Sequence, residues 1–298
     1  MTEVHFNKLC RILLLHSARL TPEMVSEASG RLAAMLESSR PDLVILNGDT
    51  LAGPTNDAAS LLESFLSPVL RRGIPWTYTF GEGERKTGIE PRALDRIYAS
   101  VGGCVTGERA EGIDGVTNAV IPMIGEGEVR FLLRLFDTHR ETTAYERDYG
   151  SPGRSRLPYP LYSRYYMDGV RFCQTAWFDS DHDRRCRKAG RTLRELFVFH
   201  TPTPEHAQIP LNQAACRFDG ILCEDSKCQT VNGGIACAAA ESRDVSAILC
   251  GHEEENDYFG NWAGMTLGVL PAFRWGAWLA ETDGDTTEIQ RIRPQNGG

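Results

Sequence analysis

Lysine is scarce in this chain of 298 residues: only Lys8, Lys86, Lys188 and Lys227 occur, and every other basic residue is arginine. The formal net charge is -8. Nucleic acid and anionic membranes both need a basic face, so neither is an expected partner. Long apolar runs are missing as well. The stretch 12–15 is far too short for a signal-peptide core or a membrane span, which points to a cytoplasmic protein. Paired Cys-x-x-Cys spacings are also absent. The nine cysteines are an odd, scattered set, as free thiols in a reducing compartment would be. Cys216, Cys223, Cys228 and Cys237 crowd one stretch and raise the question of zinc, but their spacing favours free thiols over a structural site. Neither an internal repeat nor a linker divides the chain. A single domain over 1–298 is the expectation, long enough for one large α/β unit.

What is present is a series of buried strands with polar ends. Residues 42–50 are a branched apolar run that stops at Gly48-Asp49, and turn chemistry follows. Open α/β sheets place ligands at the carboxyl ends of such strands. Residues 11–16 read as an earlier strand, followed by a helix started by Thr21-Pro22 with Val25, Ala28, Leu32 and Leu36 on its core face. A second helix carries Leu61, Leu62, Phe65, Leu66 and Val69, with Pro68 as its end or a kink. Residues 73–80 form a third strand. Three such units in a row predict a parallel sheet with right-handed crossovers.

Residues 116–121 and 129–136 then read as paired strands around Gly125-Glu126-Gly127. The polar, Pro- and Tyr-rich segment 141–164 is expected to be a loop insertion. Residues 174–187 predict a helix with Trp177 and Phe178 on its buried side. Strands at 196–199 and 245–250 resume the parallel pattern, and 265–270, 275–279 and 287–292 are expected to close the fold as an antiparallel set.

The strands end in Ser17-x-Arg19, Asp49, Glu82, His200 and His252-x-Glu254. Each residue taken singly has a structural explanation, such as helix capping for Asp49 or solvation for Glu82 and Glu254. Their shared position at strand ends favours a site. Two imidazoles and several carboxylates suit a divalent transition metal, Zn, Mn or Fe.

The stretches Arg40-Pro-Asp-Leu-Val-Ile-Leu-Asn-Gly-Asp49, Gly73-Ile-Pro-Trp76 with Phe80-Gly81, Phe199-His-Thr-Pro-Thr-Pro-Glu205 and Gly251-His252 with Asn256-Asp257-Tyr258 resemble the calcineurin-like metallophosphoesterases. The similarity is to their eukaryotic purple acid phosphatase-like, single-domain branch. Gln174-x-x-Trp177-Phe178 and Asn232-x-Gly234 match in the expected order. The resemblance implies a four-layer α-β-β-α sandwich, two mixed sheets flanked by helices, with a two-metal site for phosphate-ester hydrolysis. In that family Asp-x-His, Gly-Asp, Gly-Asn-His, a lone His and Gly-His-x-His supply the ligands, and the Asp of Gly-Asp bridges the metals.

The matching positions have changed. Ser17 and Arg19 stand for Asp-x-His, Gly81-Glu82-Gly83 for Gly-Asn-His, and Glu254 for the last His. By this resemblance one metal position is lined by Ser17, Arg19, Asp49 and Glu254, where a guanidinium repels a cation and can pair with Asp49 or Glu254. The other is lined by Asp49, Glu82, His200 and His252, a set able to hold one metal. Gly83 leaves no general acid, although His16 and Glu84 lie near in sequence.

Three readings follow. The favoured one is a degenerate phosphoesterase with at most one metal and a binding or regulatory role toward a phosphorylated small molecule or protein. The second is an active one-metal phosphatase with Arg19 as charge stabiliser. The third is a metal-free interaction subunit.

Overall fold

The computed structural model describes residues 1–138, 169–223, 226–229 and 231–293. The insertion expected at 141–164 lies outside the described residues.

The layers follow from the alternation of side chains along two strands, β2 (Cys10–Leu15) and β3 (Leu43–Asn47). Successive side chains leave a strand on opposite faces. Here both faces are apolar: Leu13, Leu15, Val44 and Leu46 join one core, while Ile12, Leu14, Leu43 and Ile45 join another. A sheet buried on both faces needs a layer on each side. On the first face lie helices α1 (Val25–Ser39) and α2 (Ala58–Arg71), contributing Leu32, Leu36, Leu62 and Phe65. On the second lies another sheet, contributing Leu133, Val198 and Leu249.

The smaller sheet has the order β14 (Thr287–Ile292), β13 (Ala277–Thr282), β2, β3, β4 (Trp76–Thr79), with β2, β3 and β4 parallel. The larger has the order β1 (Val4–Phe6), β6 (Ala119–Gly125), β7 (Glu128–Phe136), β8 (Arg194–Phe199), β10 (Val245–Cys250), β12 (Met265–Val269), β11 (Asp257–Trp262), β9 (Asp219–Ile221), and β5 (Glu108–Arg109) pairs with β6. Its outer face is covered by the helices Phe172–Ala189 and Ile235–Ser242, through Phe178, Ile235, Ala236 and Ala239. The architecture is helix, sheet, sheet, helix, with both sheets mixed.

Three local expectations are corrected. The last three strands do not form one antiparallel set. β12 runs parallel to β10 in the larger sheet, whereas β13 and β14 pair in the smaller one. The two sheets meet there because Gly268 of β12 has no side chain, and the Trp278 ring of β13 occupies the space a Cβ would need. Secondly, α1 starts at Val25 rather than at Pro22, since Thr21 first accepts from the Met24 and Val25 amides in a turn. Thirdly, of the end or kink expected at Pro68, the end is not found, and α2 continues to Arg71. All nine cysteines are free.

Polar groups are enclosed as well. Arg134 on β7 has no exposed surface and forms a fork to Glu195 (2.6 and 2.8 Å) while also reaching Asp181 at 3.1 Å. Its guanidinium lies 4.6 Å from the Trp177 ring. This ties the helix Phe172–Ala189 to the sheet through charge-assisted bonds shielded from water. His206 is also buried. Its Nδ1 sits 3.0 Å from the Thr203 hydroxyl, and burial pushes its pKa down to about 4. No described helix is long and apolar enough to cross a membrane.

Candidate active site

The parallel strands of both sheets end on one rim. β2 delivers His16, Ser17 and Arg19; β3 delivers Asp49; β4 leads into the short helix α3 (Glu82–Arg85); β8 delivers His200; β10 delivers His252 and Glu254. Backbone bonds stitch these ends together: Ser17 N to Gly48 O (3.0 Å), Arg19 N to Asp49 O (3.0 Å) and Gly251 N to His200 O (2.9 Å). Ser17, Arg19, Asp49 and His252 all adopt positive φ, at 54°, 47°, 54° and 70°. Such conformations cost on the order of 1 kcal/mol each in an L-residue and persist only where surroundings dictate them.

For Asp49 the dictating group is Glu84, a buried carboxylate on α3. Its Oε2 accepts from the amides of Asp49 (2.9 Å) and Gly81 (2.8 Å). Its Oε1 accepts from Thr50 N (2.8 Å), Leu51 N (3.3 Å) and the Tyr98 hydroxyl (2.9 Å). Burial and then the negative charge of Asp49 push the Glu84 pKa up, while the Gly81 amide and the Tyr98 hydroxyl hold the ionised form. Burial also acts to raise the Asp49 pKa. His200, His16, the Gly83 amide and His252 outweigh it and leave that carboxyl well below its ordinary range.

Asp49 Oδ1 accepts from Gly83 N at 2.6 Å and lies 3.5 Å from His200 Nε2. His200 Nδ1 is 3.0 Å from the Asn47 carbonyl, so that nitrogen is the donor and Nε2 is left to face the carboxylate. His252 Nδ1 sits 3.3 Å from the same Nε2. His16 completes the group, its ring 5.2 Å from that of His200. Among the described residues neither nitrogen of His16 makes a well-formed hydrogen bond, although the Glu253 backbone approaches. Burial, then the proximity of His200, lowers the pKa of His16 to about 3 and of His252 to about 4. Both rings are therefore neutral at pH 7, the form in which imidazole ligates a metal.

On the other side of Asp49 lies Arg19. Its Nε donates to Ser17 Oγ (3.0 Å), and its Nη2 is 2.6 Å from Glu254 Oε1 and 3.9 Å from Asp49 Oδ2. Arg274 reaches the second oxygen of Glu254 at 2.5 Å.

The overall chain fold is similar to that of a dimetal phosphatase from Danio rerio, with TM-score 0.59, covering 96% of this chain and 99% of that one at 13% identity. The fold is that of the calcineurin-like metallophosphoesterases. A second solved structure similar in fold to this chain is GAP50, described as the anchor in the inner membrane complex of Plasmodium, with TM-score 0.57, 97% and 86% coverage and 9% identity. In sequence the chain is similar to the probable inactive purple acid phosphatases 28 and 29 of Arabidopsis thaliana, each 23% identical over 78% and 79% of this chain. It is 24% identical to the phosphatase DCR2 of Saccharomyces cerevisiae over 75% of this chain. It spans 58% and 60% of the two plant relatives and 38% of the yeast protein. No family model matches the chain.

Set against the phosphoesterase pattern, the rim divides in two. The Ser17, Arg19 and Glu254 side does not fit a cation, because a permanently charged guanidinium holds the ligand positions. On the other side Asp49, His200 and His252 come together. Their observed separations of 3.3 and 3.5 Å are close to the roughly 3.3 Å edge of a tetrahedron with bonds of about 2.0–2.1 Å. Imidazole and carboxylate are donor types that a divalent transition metal accepts; His252 makes its 3.3 Å approach through Nδ1, so its unpartnered Nε2 lies outside that set. As the side chains stand, no group of three or more His, Cys, Asp or Glu among the described residues is arranged to hold a metal ion.

Glu82 does not join that set. Its half-exposed side chain pairs with Lys86 at 3.0 Å, one helical turn away. Gly83 is more than an absent acid. A Cβ there would collide with the Leu51 carbonyl, so the position admits no side chain as the loop stands. Glu84 and His16, which read in the sequence only as nearby titratable groups, turn out to be the buried support of the loop and the third imidazole of the cluster.

Proposed function

We propose that this chain is a degenerate phosphoesterase that binds phosphorylated ligands rather than turning them over. A guanidinium takes one cation position, and at most one Mn, Zn or Fe ion is held by Asp49, His200 and His252. The observation that carries this reading is the fork of Arg19 between Ser17 and Glu254, with Asp49 beyond it at 3.9 Å. An ion bound on the histidine side would supply Lewis-acid polarisation. A second cation and a proton donor at position 83 are both lacking. Each such group contributes on the order of a hundredfold or more to rate, so turnover is expected to fall by roughly a thousandfold or more. The inactive names of the plant relatives agree with this reading.

Metal analysis of protein never exposed to chelator, paired with hydrolysis of p-nitrophenyl phosphate under Mn, Zn and Fe, provides the test. The expected result is no more than one equivalent of metal and turnover no higher than that of Asp49→Ala. Robust turnover that Asp49→Ala abolishes would overturn the proposal.

A further inference from the structure

We propose that His182 is a proton-controlled clasp on the outer face of the larger sheet. As an imidazolium it holds the helix Phe172–Ala189 to β8 and to the chain just before β10 at once. As a neutral ring it keeps the first hold and exchanges the second for the thiol of Cys186. The clasp stands apart from the rim, near the starts of β8 and β10 rather than at the ends that deliver His200 and His252.

Both ring nitrogens face carboxylates. Nδ1 is 2.9 Å from Glu195 Oε1 on β8, and Nε2 is 3.0 Å from Oδ2 of Asp244, the residue before β10. A neutral imidazole carries one N–H, so it donates to one of the two and turns a lone pair on the other. Only the imidazolium satisfies both. The charges around the ring come from every element packed on it. From β7, Arg134 forks onto Glu195. From β8, Arg194 places Nη1 3.6 Å from the other oxygen of Asp244. On the helix itself, Asp181 is taken up by Arg134, Arg184 and Arg185. Asp179, Asp183 and Glu241 line, with His182, Cys186 and Asp244, an open cavity of about 620 Å³ whose lining holds no lysine or arginine. The bond to Glu195 outweighs burial, and the pKa of His182 stands above its ordinary 6.5.

Loss of the proton selects between the partners. Glu195 is fully buried and has no water to turn to, whereas Asp244 is 21% exposed beside the cavity. The hydrogen therefore stays on Nδ1, and the bared Nε2 repels the Asp244 carboxylate toward solvent. Cys186, one helical turn on, has Sγ 3.6 Å from that nitrogen. Burial first, and then the charge of Asp244, push the thiol pKa up and keep it in the S–H form. Leu193 N already donates to the sulfur at 3.3 Å, so the thiol hydrogen is free for Nε2. Because the folded chain holds this proton more tightly than the unfolded one, the clasp contributes fully below pH 6.5. Its contribution is lost as pH rises through the raised value.

The test is a pH titration of the full chain labelled uniformly with nitrogen-15, followed by NMR, with the His182→Gln spectrum identifying the ring. Both ring nitrogens are expected to be protonated at pH 6.5. At high pH, Nδ1 should keep its hydrogen and Nε2 should be bare, and the Asp244 amide should shift with the same midpoint. The midpoint is expected to fall by about one pH unit in Asp244→Asn, which removes a facing charge. It is expected to rise in Cys186→Ala, where the neutral ring loses its donor. Both positions reach the cavity surface, and each variant tests one hold without the other. A neutral ring at pH 6.5, a bare Nδ1 in place of Nε2, or a midpoint unmoved in Asp244→Asn would overturn the proposal. So would a midpoint unmoved in Cys186→Ala, or an Asp244 amide that does not follow the ring.

Discussion

The most demanding test of the site's construction is Glu84→Gln. Five donors converge on the two oxygens of this side chain, four of them backbone amides of the loops that carry Asp49 and Gly81. A glutamine of the same shape keeps one oxygen and turns an NH2 group on the other donors. In one orientation the amides of Asp49 and Gly81 lose their acceptor; in the other, those of Thr50 and Leu51 and the Tyr98 hydroxyl lose theirs. Each orphaned buried donor costs about 1–3 kcal/mol. Two or three of them, with the lost charge assistance, give an expected destabilisation of about 4 kcal/mol. Tyr98→Phe removes the bond to Glu84 and the hydrogen bond with the Thr50 side chain and is expected to cost about 1–2 kcal/mol. The double variant should cost less than the sum, because the bond that Tyr98 makes to Glu84 is already broken or weakened in Glu84→Gln. Urea unfolding followed by fluorescence measures all three through the midpoint at unchanged m. A loss below about 1 kcal/mol for Glu84→Gln would refute the reasoning, since the loops would then have another source of order.

Further outcomes follow from other positions. Gly83→Ala should lower Tm and cost about 2 kcal/mol or more, because the new Cβ collides with the Leu51 carbonyl, a backbone atom that cannot swing aside; a wild-type melting curve would contradict this. Arg134→Met should cost about 3–5 kcal/mol in denaturant titration, because it leaves the buried Glu195 with only the His182 imidazole, 2.9 Å away, as a partner. His206 contributes to acid sensitivity. Its pKa falls from 6.5 to about 4 on folding, so between those values the unfolded chain binds a proton that the native chain does not, and stability drops as pH drops. The contribution integrates to about 3 kcal/mol, and the decline between pH 6.5 and 4 should be shallower by that amount in His206→Gln.

The layers were legible in the sequence because continuous apolar runs at 11–16 and 42–50 demand cover on both faces. The rim was legible because chemistry-bearing residues followed those runs. What misled was position within the single turn of α3. Residues two apart on a helix point about 200° away from each other, so Glu82 and Glu84 cannot both face Asp49. Sequence spacing alone does not say which one turns inward. The choice is made by the four amides waiting below the loop, a fact of tertiary structure. His16 was obscured for a similar reason. It adjoins Ser17, but neighbouring residues at a strand end take opposite sides, and His16 turns toward His200. The closing strands were misassigned because alternation marks a strand without marking its sheet; the fit of Trp278 against Gly268 decides that.

The cramped backbone at Gly83 makes the two halves of the rim unequal in reversibility. At positions 17 and 19 the main chain already holds a left-handed conformation that aspartate and histidine accept more readily than arginine does. Side chains there can be exchanged in place, and a ligand pair could return without moving the loop. At position 83 the space itself has been consumed, by the Leu51 carbonyl on one side and the bond to Asp49 on the other. A side chain there must first displace the loop that Glu84 anchors. In the proposed reading, ligands on the Arg19 side could therefore be restored one residue at a time, whereas a side chain at position 83 is barred by the backbone.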